Sequence, residues 1–167
     1  MSIQSSIAMP LRAAVLVVAM FSVAVAQAQT RHDKFDPGRD AAKDVASAIA
    51  LAKAQGKRVM VDVGGEWCPW CHIMDRFIDA NADVTSLVDA HYVWVKVNYS
   101  KENKNEALLS RWPKVAGYPH LFVLDADGKL LRSQDTSALE AGKSYDKAKF
   151  VAFLQKWAGD RTQRPKA

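Results

Sequence analysis

The chain contains only two cysteines, and they stand three residues apart in Trp67-Cys68-Pro69-Trp70-Cys71. Their surroundings limit what this stretch can fold into. Val59-Met60-Val61-Asp62-Val63 is a short β-branched run suited to a buried strand, and Gly64-Gly65 end it. Pro69 suits the first turn of a helix, where its missing N–H leaves no bond unmade. Beyond it Ile73, Met74, Phe77 and Ile78 recur at one-turn spacing, which predicts a helix over residues 70–79. The two thiols therefore lie at a strand-to-helix junction. A single pair cannot frame a disulfide-stapled miniprotein, so the chain has to build an apolar core. With 167 residues, 49% of them hydrophobic, it has the material for one globular domain.

Residues 1–28 read as a secretory signal peptide. Arg12 precedes the apolar run 13–26, and Ala26-Gln27-Ala28 offers small residues for cleavage. As a helix that run rises only about 21 Å, short of a bilayer core of roughly 30 Å. The expected location is periplasmic or secreted, where disulfides can form. The full chain carries 23 basic and 18 acidic residues, for a net charge of +5, with the two signs interleaved. That pattern leaves no footprint for nucleic acid. Residues 29–39 are polar and read as a flexible N-terminal segment, 40–160 as the folded domain, and 161–167 as a frayed basic tail.

Within the domain, Ala41, Val45, Ala48, Ile49 and Ala52 mark one face of a helix over 40–55, stopped by Gly56. After the 70–79 helix, Asp83 is placed to cap a short helix bearing Val84, Leu87 and Val88. Val93, Val95 and Val97 alternate with Trp94 and Lys96 in a strand over 92–98. A helix over 106–112 ends at Pro113. Asp125-Ala126-Asp127-Gly128 joins strands 121–124 and 129–132 as a hairpin. Residues 133–145 read as a loop. A closing helix over 146–157 aligns Phe150, Phe153, Leu154 and Trp157. Trp94, Trp112 and Trp157 are assigned to packing. The order predicts an α/β domain with a central mixed β-sheet and helices on both faces.

Cys68, at the first exposed turn, would feel the partial positive charge and unpaired N–H groups of a helix N-terminus, which favour thiolate. Cys71, one turn further and more buried, is within reach to close a small ring. This suits reversible dithiol chemistry, with attack by Cys68, a mixed disulfide, and resolution by Cys71. A purely structural bridge would restrict the unfolded chain by only about 2 kcal/mol. Cys68-Pro69-Trp70-Cys71-His72 also fits the C-x-x-C-H pattern of c-type haem attachment. Against haem stand the preceding strand and the lack of any methionine after Met74 to serve as a second axial ligand. His32, His91 and His120 show no spacing suited to zinc. No metal or organic cofactor is called for.

Val61 to Cys71 resembles the active-site strand and turn of the thioredoxin family. Asp62, six residues before Cys68, matches that family's buried carboxylate, and Lys96 resembles the lysine that approaches it. Gly117-Tyr118-Pro119 resembles the loop carrying a cis-proline beside the dithiol. The hairpin and last helix keep the family's order, so the resemblance covers roughly residues 41–158. It is nearest to exported members, including DsbD C-terminal domains.

The resemblance implies a thioredoxin-like fold and an extracytoplasmic thiol:disulfide oxidoreductase, with the balance toward reductase. It gives Cys68 and Cys71 as the redox-active disulfide, and Asp62 and Lys96 as catalytic partners. Trp67, Pro69, Trp70, Tyr118 and Pro119 become the substrate-contacting rim. Expected partners are protein thiol or disulfide substrates and a membrane redox protein that resets the dithiol, with the chain itself monomeric. Blander readings stand beside these: Lys96 as an exposed strand lysine, Asp62 in a local hydrogen bond, His72 facing solvent. At the level of the whole chain, the alternatives are the haem protein and a thioredoxin-like binding module without turnover.

Overall fold

The computed structural model describes Arg31 and residues 33–159; the expected signal peptide and the basic tail lie outside the described residues. Helix α1 (Ala41–Gln55) is capped by Asp40, whose side chain accepts from the Lys43 amide, and it ends at Gly56 in the left-handed region. Strand β1 (Arg58–Gly64) follows, then α2 (Pro69–Ala80), α3 (Ala82–His91) and β2 (Tyr92–Asn98). The rest comprises α4 (Glu106–Leu109), β3 (His120–Leu124), β4 (Leu130–Asp135), a 3₁₀ turn (Thr136–Leu139), β5 (Glu140–Ala141), β6 (Ser144–Tyr145) and α5 (Lys147–Trp157).

The main sheet runs in the order β2-β1-β3-β4. β1 pairs in parallel with β2, and the β1–β3 and β3–β4 pairs are antiparallel. The expected mixed sheet is therefore present. Successive strand residues point to opposite faces. Val59, Val61, Val63, Val93, Val95 and Val97 pack with Ala41, Val45, Ala48 and Ala52 of α1. On the other face, Met60, Trp94, Leu121 and Val123 meet Met74 and Ile78 of α2, Val84 and Val88 of α3, and Phe150, Phe153 and Leu154 of α5.

Three local expectations are corrected. The residue preceding α3 as its cap is Asn81, not Asp83; Asp83 lies in the first turn and pairs with Lys147 at 2.8 Å. The helix expected to reach residue 112 stops at Leu109. Past it Arg111 and Trp112 make tighter bonds to Leu108 and Leu109, because Pro113 disfavours helical backbone in the residue before it. The expected loop 133–145 is largely structured: β4 continues to Asp135, and the two-residue strands β5 and β6 close a small hairpin that buries Tyr145. Strands that short carry no readable alternation. Within the segment 29–39, Phe35 is buried, at 1% exposed.

Candidate active site

β1 delivers the chain to the cysteines and α2 holds them. Cys68 is the N-cap of α2, with extended backbone, and Pro69 occupies the first turn. The Cys68 amide donates to the Gly65 carbonyl at 2.9 Å, and the Cys71 amide lies 3.2 Å from Cys68 Sγ. A sulfur at this position faces the free N–H groups of a helix start, which favour negative charge on it. Cys68 and Cys71 are joined in a disulfide, with Cα atoms 5.3 Å apart. His72 does not approach the sulfurs in any hydrogen bond; its Nε2 lies 2.9 Å from the Glu66 carbonyl oxygen and ties the turn together.

The exposed turn expected for Cys68 is corrected by the packing. Cys68 is only 2% exposed, in an apolar cluster with Cys71 and Phe35 flanked by Trp70 and Tyr118. Gly64 permits this closeness: a Cβ there would lie 2.5 Å from Cys71 Sγ and 3.1 Å from Phe35 Cζ. Only a residue without a side chain fits.

Asp62 shares the face of β1 that carries Gly64, two residues before it, and is fully buried. Its Oδ2 accepts from Trp94 Nε1 at 3.3 Å, while Oδ1 has no hydrogen-bond partner. Burial is the main reason its pKa is pushed up to about 7; Asp75 adds to the rise, while Lys96 and the Trp94 bond oppose it. Trp94, assigned to packing from the sequence, thus also holds the carboxylate.

The expected Lys96–Asp62 partnership is not the ion pair formed. Lys96 is the register neighbour of Asp62 across β1 and β2, but its Nζ bonds Asp75 Oδ2 at 2.6 Å. Asp75 keeps 23% exposure and Asp62 none, so the cation goes to the carboxylate that retains contact with water. Lys96 still acts on Asp62 through space. Asp75 escaped the sequence reading, although its position four residues after Cys71 places it one turn along the same helix face.

Around the disulfide the aromatic residues form a rim. Trp67, 54% exposed, is the exposed large hydrophobic side chain among the described residues. Its Nε1 donates to the Tyr99 carbonyl at 2.7 Å, and its ring meets Tyr118 edge-on at 5.6 Å. Tyr118 in turn stacks on Tyr99 at 4.9 Å, a residue not singled out from the sequence. Trp70 meets Tyr145 edge-on at 5.7 Å. The Tyr118–Pro119 bond is cis, and Pro119 O accepts from Thr136 Oγ1 at 2.6 Å. A groove of about 580 Å³ opens beside this rim, lined by Phe35, Glu66, Trp67, Tyr99, Lys101 and Lys104 among others.

A strand, a capped dithiol turn, a buried carboxylate and a cis-proline loop define a class, and comparison with known proteins agrees. A family model described as thioredoxin-like matches residues 40–126. The chain belongs to the thioredoxin-like family, and its fold and disulfide place it in that family's disulfide oxidoreductase class.

Among particular relatives, it is 32% identical over 142 residues to the thiol:disulfide interchange protein DsbD of Pseudomonas fluorescens, covering 84% of this chain and 22% of that protein. It is 30% identical over 95 residues to the disulfide bond reductase DsbH of Chlamydia pneumoniae, covering 52% of this chain and 57% of that one. The chain therefore spans only about a fifth of the length of the DsbD relatives. Among solved structures, the disulphide isomerase of Xylella fastidiosa Temecula1 has a similar fold (TM-score 0.62, 24% identity, 73% of this chain and 94% of that one). So does the oxidised Neisseria meningitidis DsbD C-terminal domain (TM-score 0.54, 22% identity, 71% and 96%).

Proposed function

We propose that the chain exchanges disulfides with protein substrates outside the cytoplasm, acting as a reductase that a membrane redox protein recharges. The observation that carries this reading is the Cys68–Cys71 disulfide at the start of α2 with buried Asp62 on the strand that feeds it. Location rests on the sequence of residues 1–28. Among the described residues no helix is long and apolar enough to cross a membrane. Direction draws support from the DsbH relative, which is named a disulfide bond reductase.

In the reduced protein, the Cys68 thiolate attacks a client disulfide. A bond forms between Cys68 Sγ and one client sulfur, and the other client sulfur leaves as thiolate. Cys71 then gives its proton to the Asp62 carboxylate and attacks Cys68 Sγ. The Cys68–Cys71 bond forms, the second client sulfur leaves, and two electrons have passed to the client. A dithiol partner returns two electrons by the same exchange in reverse. A carboxyl group with a pKa near 7 suits both directions. It accepts the Cys71 proton above that pH and returns one to the departing Cys71 thiolate below it. Lys96 acts by holding Asp75 and by its field on Asp62. Trp67, Trp70, Tyr118 and Pro119 supply the surface against which an extended client segment lies.

The test is reduction of insulin disulfides by dithiothreitol with and without the protein. The wild type is expected to accelerate the reaction, and Cys68→Ser to abolish the gain. A folded wild type that leaves the rate unchanged contradicts the proposal and favours a binding module.

A further inference from the structure

Phe35 reaches the redox pair from outside the sheet and its helices. It belongs to the segment before α1, in neither helix nor strand, yet its ring is buried against Cys68 and Cys71. The bare Cα of Gly64 makes room for both the ring and Cys71 Sγ. The Phe35 amide donates to Glu66 Oε1 at 2.8 Å, and Asn103 Nδ2 donates to the Pro37 carbonyl at 2.9 Å. Lys96 Nζ stands 4.7 Å from the Phe35 ring centroid, a cation–π contact that links the segment to the Lys96–Asp75 pair.

Cys68 Sγ is the atom an incoming thiolate has to reach, and access to the attacked sulfur is one determinant of exchange rate. Cys68 is only 2% exposed, clustered with Phe35 and Cys71, and Trp70 and Tyr118 pack against that cluster. Trp70 belongs to α2 and Tyr118 to the cis-proline loop, both built into the fold. Phe35 belongs to neither a helix nor a strand, so moving its ring aside would break no ladder or helix, only contacts such as the Phe35–Glu66 and Asn103–Pro37 bonds.

We propose that Phe35 is a specificity-determining residue, a cap that shields the Cys68–Cys71 pair from small thiols and yields to protein clients that displace its ring. This rests on the reading of Cys68 as the sulfur that exchanges with protein disulfides. The groove lined by Phe35, Trp67 and Tyr99 lies where a displacing segment would enter.

The test follows reduction of the disulfide form by dithiothreitol, read by tryptophan fluorescence, in wild type, Phe35→Leu and Phe35→Ala. The first thiolate of dithiothreitol bonds to Cys68 Sγ as Cys71 leaves; its second thiolate then displaces Cys68, giving cyclic oxidised reagent and the protein dithiol. Phe35→Ala is expected to react about tenfold faster or more, with Phe35→Leu between, while the equilibrium constant against dithiothreitol stays within about threefold. Near-UV circular dichroism checks folding, and Phe35→Leu carries the test if the alanine variant does not fold.

Unchanged rates in the folded variants overturn the cap, as does a rate gain matched by an equal change in the equilibrium constant. Insulin reduction by the wild type separates this from the parent reading. Turnover with no gain in the variants defeats the cap alone. Faster reaction of the variants with dithiothreitol but no insulin turnover keeps the shield and defeats the client role.

Discussion

Strands β1 and β2 present two faces of opposite character. Toward α1 they offer six valines against alanine and valine, a face with no polar side chain. Toward α2 the same strands carry Asp62, Trp94 and Lys96 beside Met60, with Asp75 coming in from the helix. One backbone therefore packs apolar against apolar on one side and gathers charged and polar groups on the other. The difference shows where the chain gives up stability. Burying an unpaired carboxyl oxygen is unfavourable, and a fold selected for stability alone would not retain it.

The two faces differ most in their response to pH. Asp62 is raised from 3.8 to about 7, so between those values the folded state holds a proton that the unfolded chain has released. Stability due to this group is greatest at low pH, declines as pH rises through that window, and is absent above it. Wild type is expected to lose up to about 4 kcal/mol from this source between pH 4 and pH 8, a loss missing in Asp62→Asn. Denaturant melts of the disulfide form at both pH values measure it. Equal pH dependence in the two proteins would mean that Asp62 is not its source. The same variant is expected to release client from the mixed disulfide about tenfold more slowly at neutral pH.

On the other face, Val61→Ala is expected to cost roughly 2 kcal/mol at every pH, from lost burial and a small cavity. The pH profile of exchange should not move. A shifted profile would mean that the two faces are coupled. Asp75→Asn probes the polar face. It strips the nearly buried Lys96 of its partner, with an expected loss of about 1–2 kcal/mol after allowance for the solvent contact of Asp75. It also removes a negative charge that raises the Asp62 pKa, so the inflection in the exchange profile should move to lower pH. Trp67→Ala is the mildest for stability, within about 0.5 kcal/mol for a largely exposed ring. Its effect belongs in a several-fold weaker KM for insulin with dithiothreitol reactivity retained.

The valine face was legible in the sequence because it obeys one rule, apolar residues at period two on strands and one-turn spacing on α1. The dithiol turn was equally legible: Cys68, Pro69 and Cys71 are adjacent and carry their own chemistry. What escaped depends on three-dimensional choice between candidates. Lys96 had two carboxylates within reach, and only the burial difference between Asp62 and Asp75 decides between them. Phe35 sits in a polar stretch without periodicity, and its place is set by Gly64, twenty-nine residues later. The β5–β6 hairpin is too short to show alternation. Trp94 alternates as a core residue should, so its bond to Asp62 left no trace in the pattern.

In the proposed cycle Cys68 attacks a client and Cys71 resolves the mixed disulfide. Trapping tests it most directly: reduced Cys71→Ser and Cys68→Ser proteins are mixed with a disulfide-bonded protein client, quenched with acid, and examined by mass spectrometry. A stable adduct through Cys68 is expected in Cys71→Ser, and little or none in Cys68→Ser. Equal trapping by both variants, or an adduct through Cys71 alone, would contradict it.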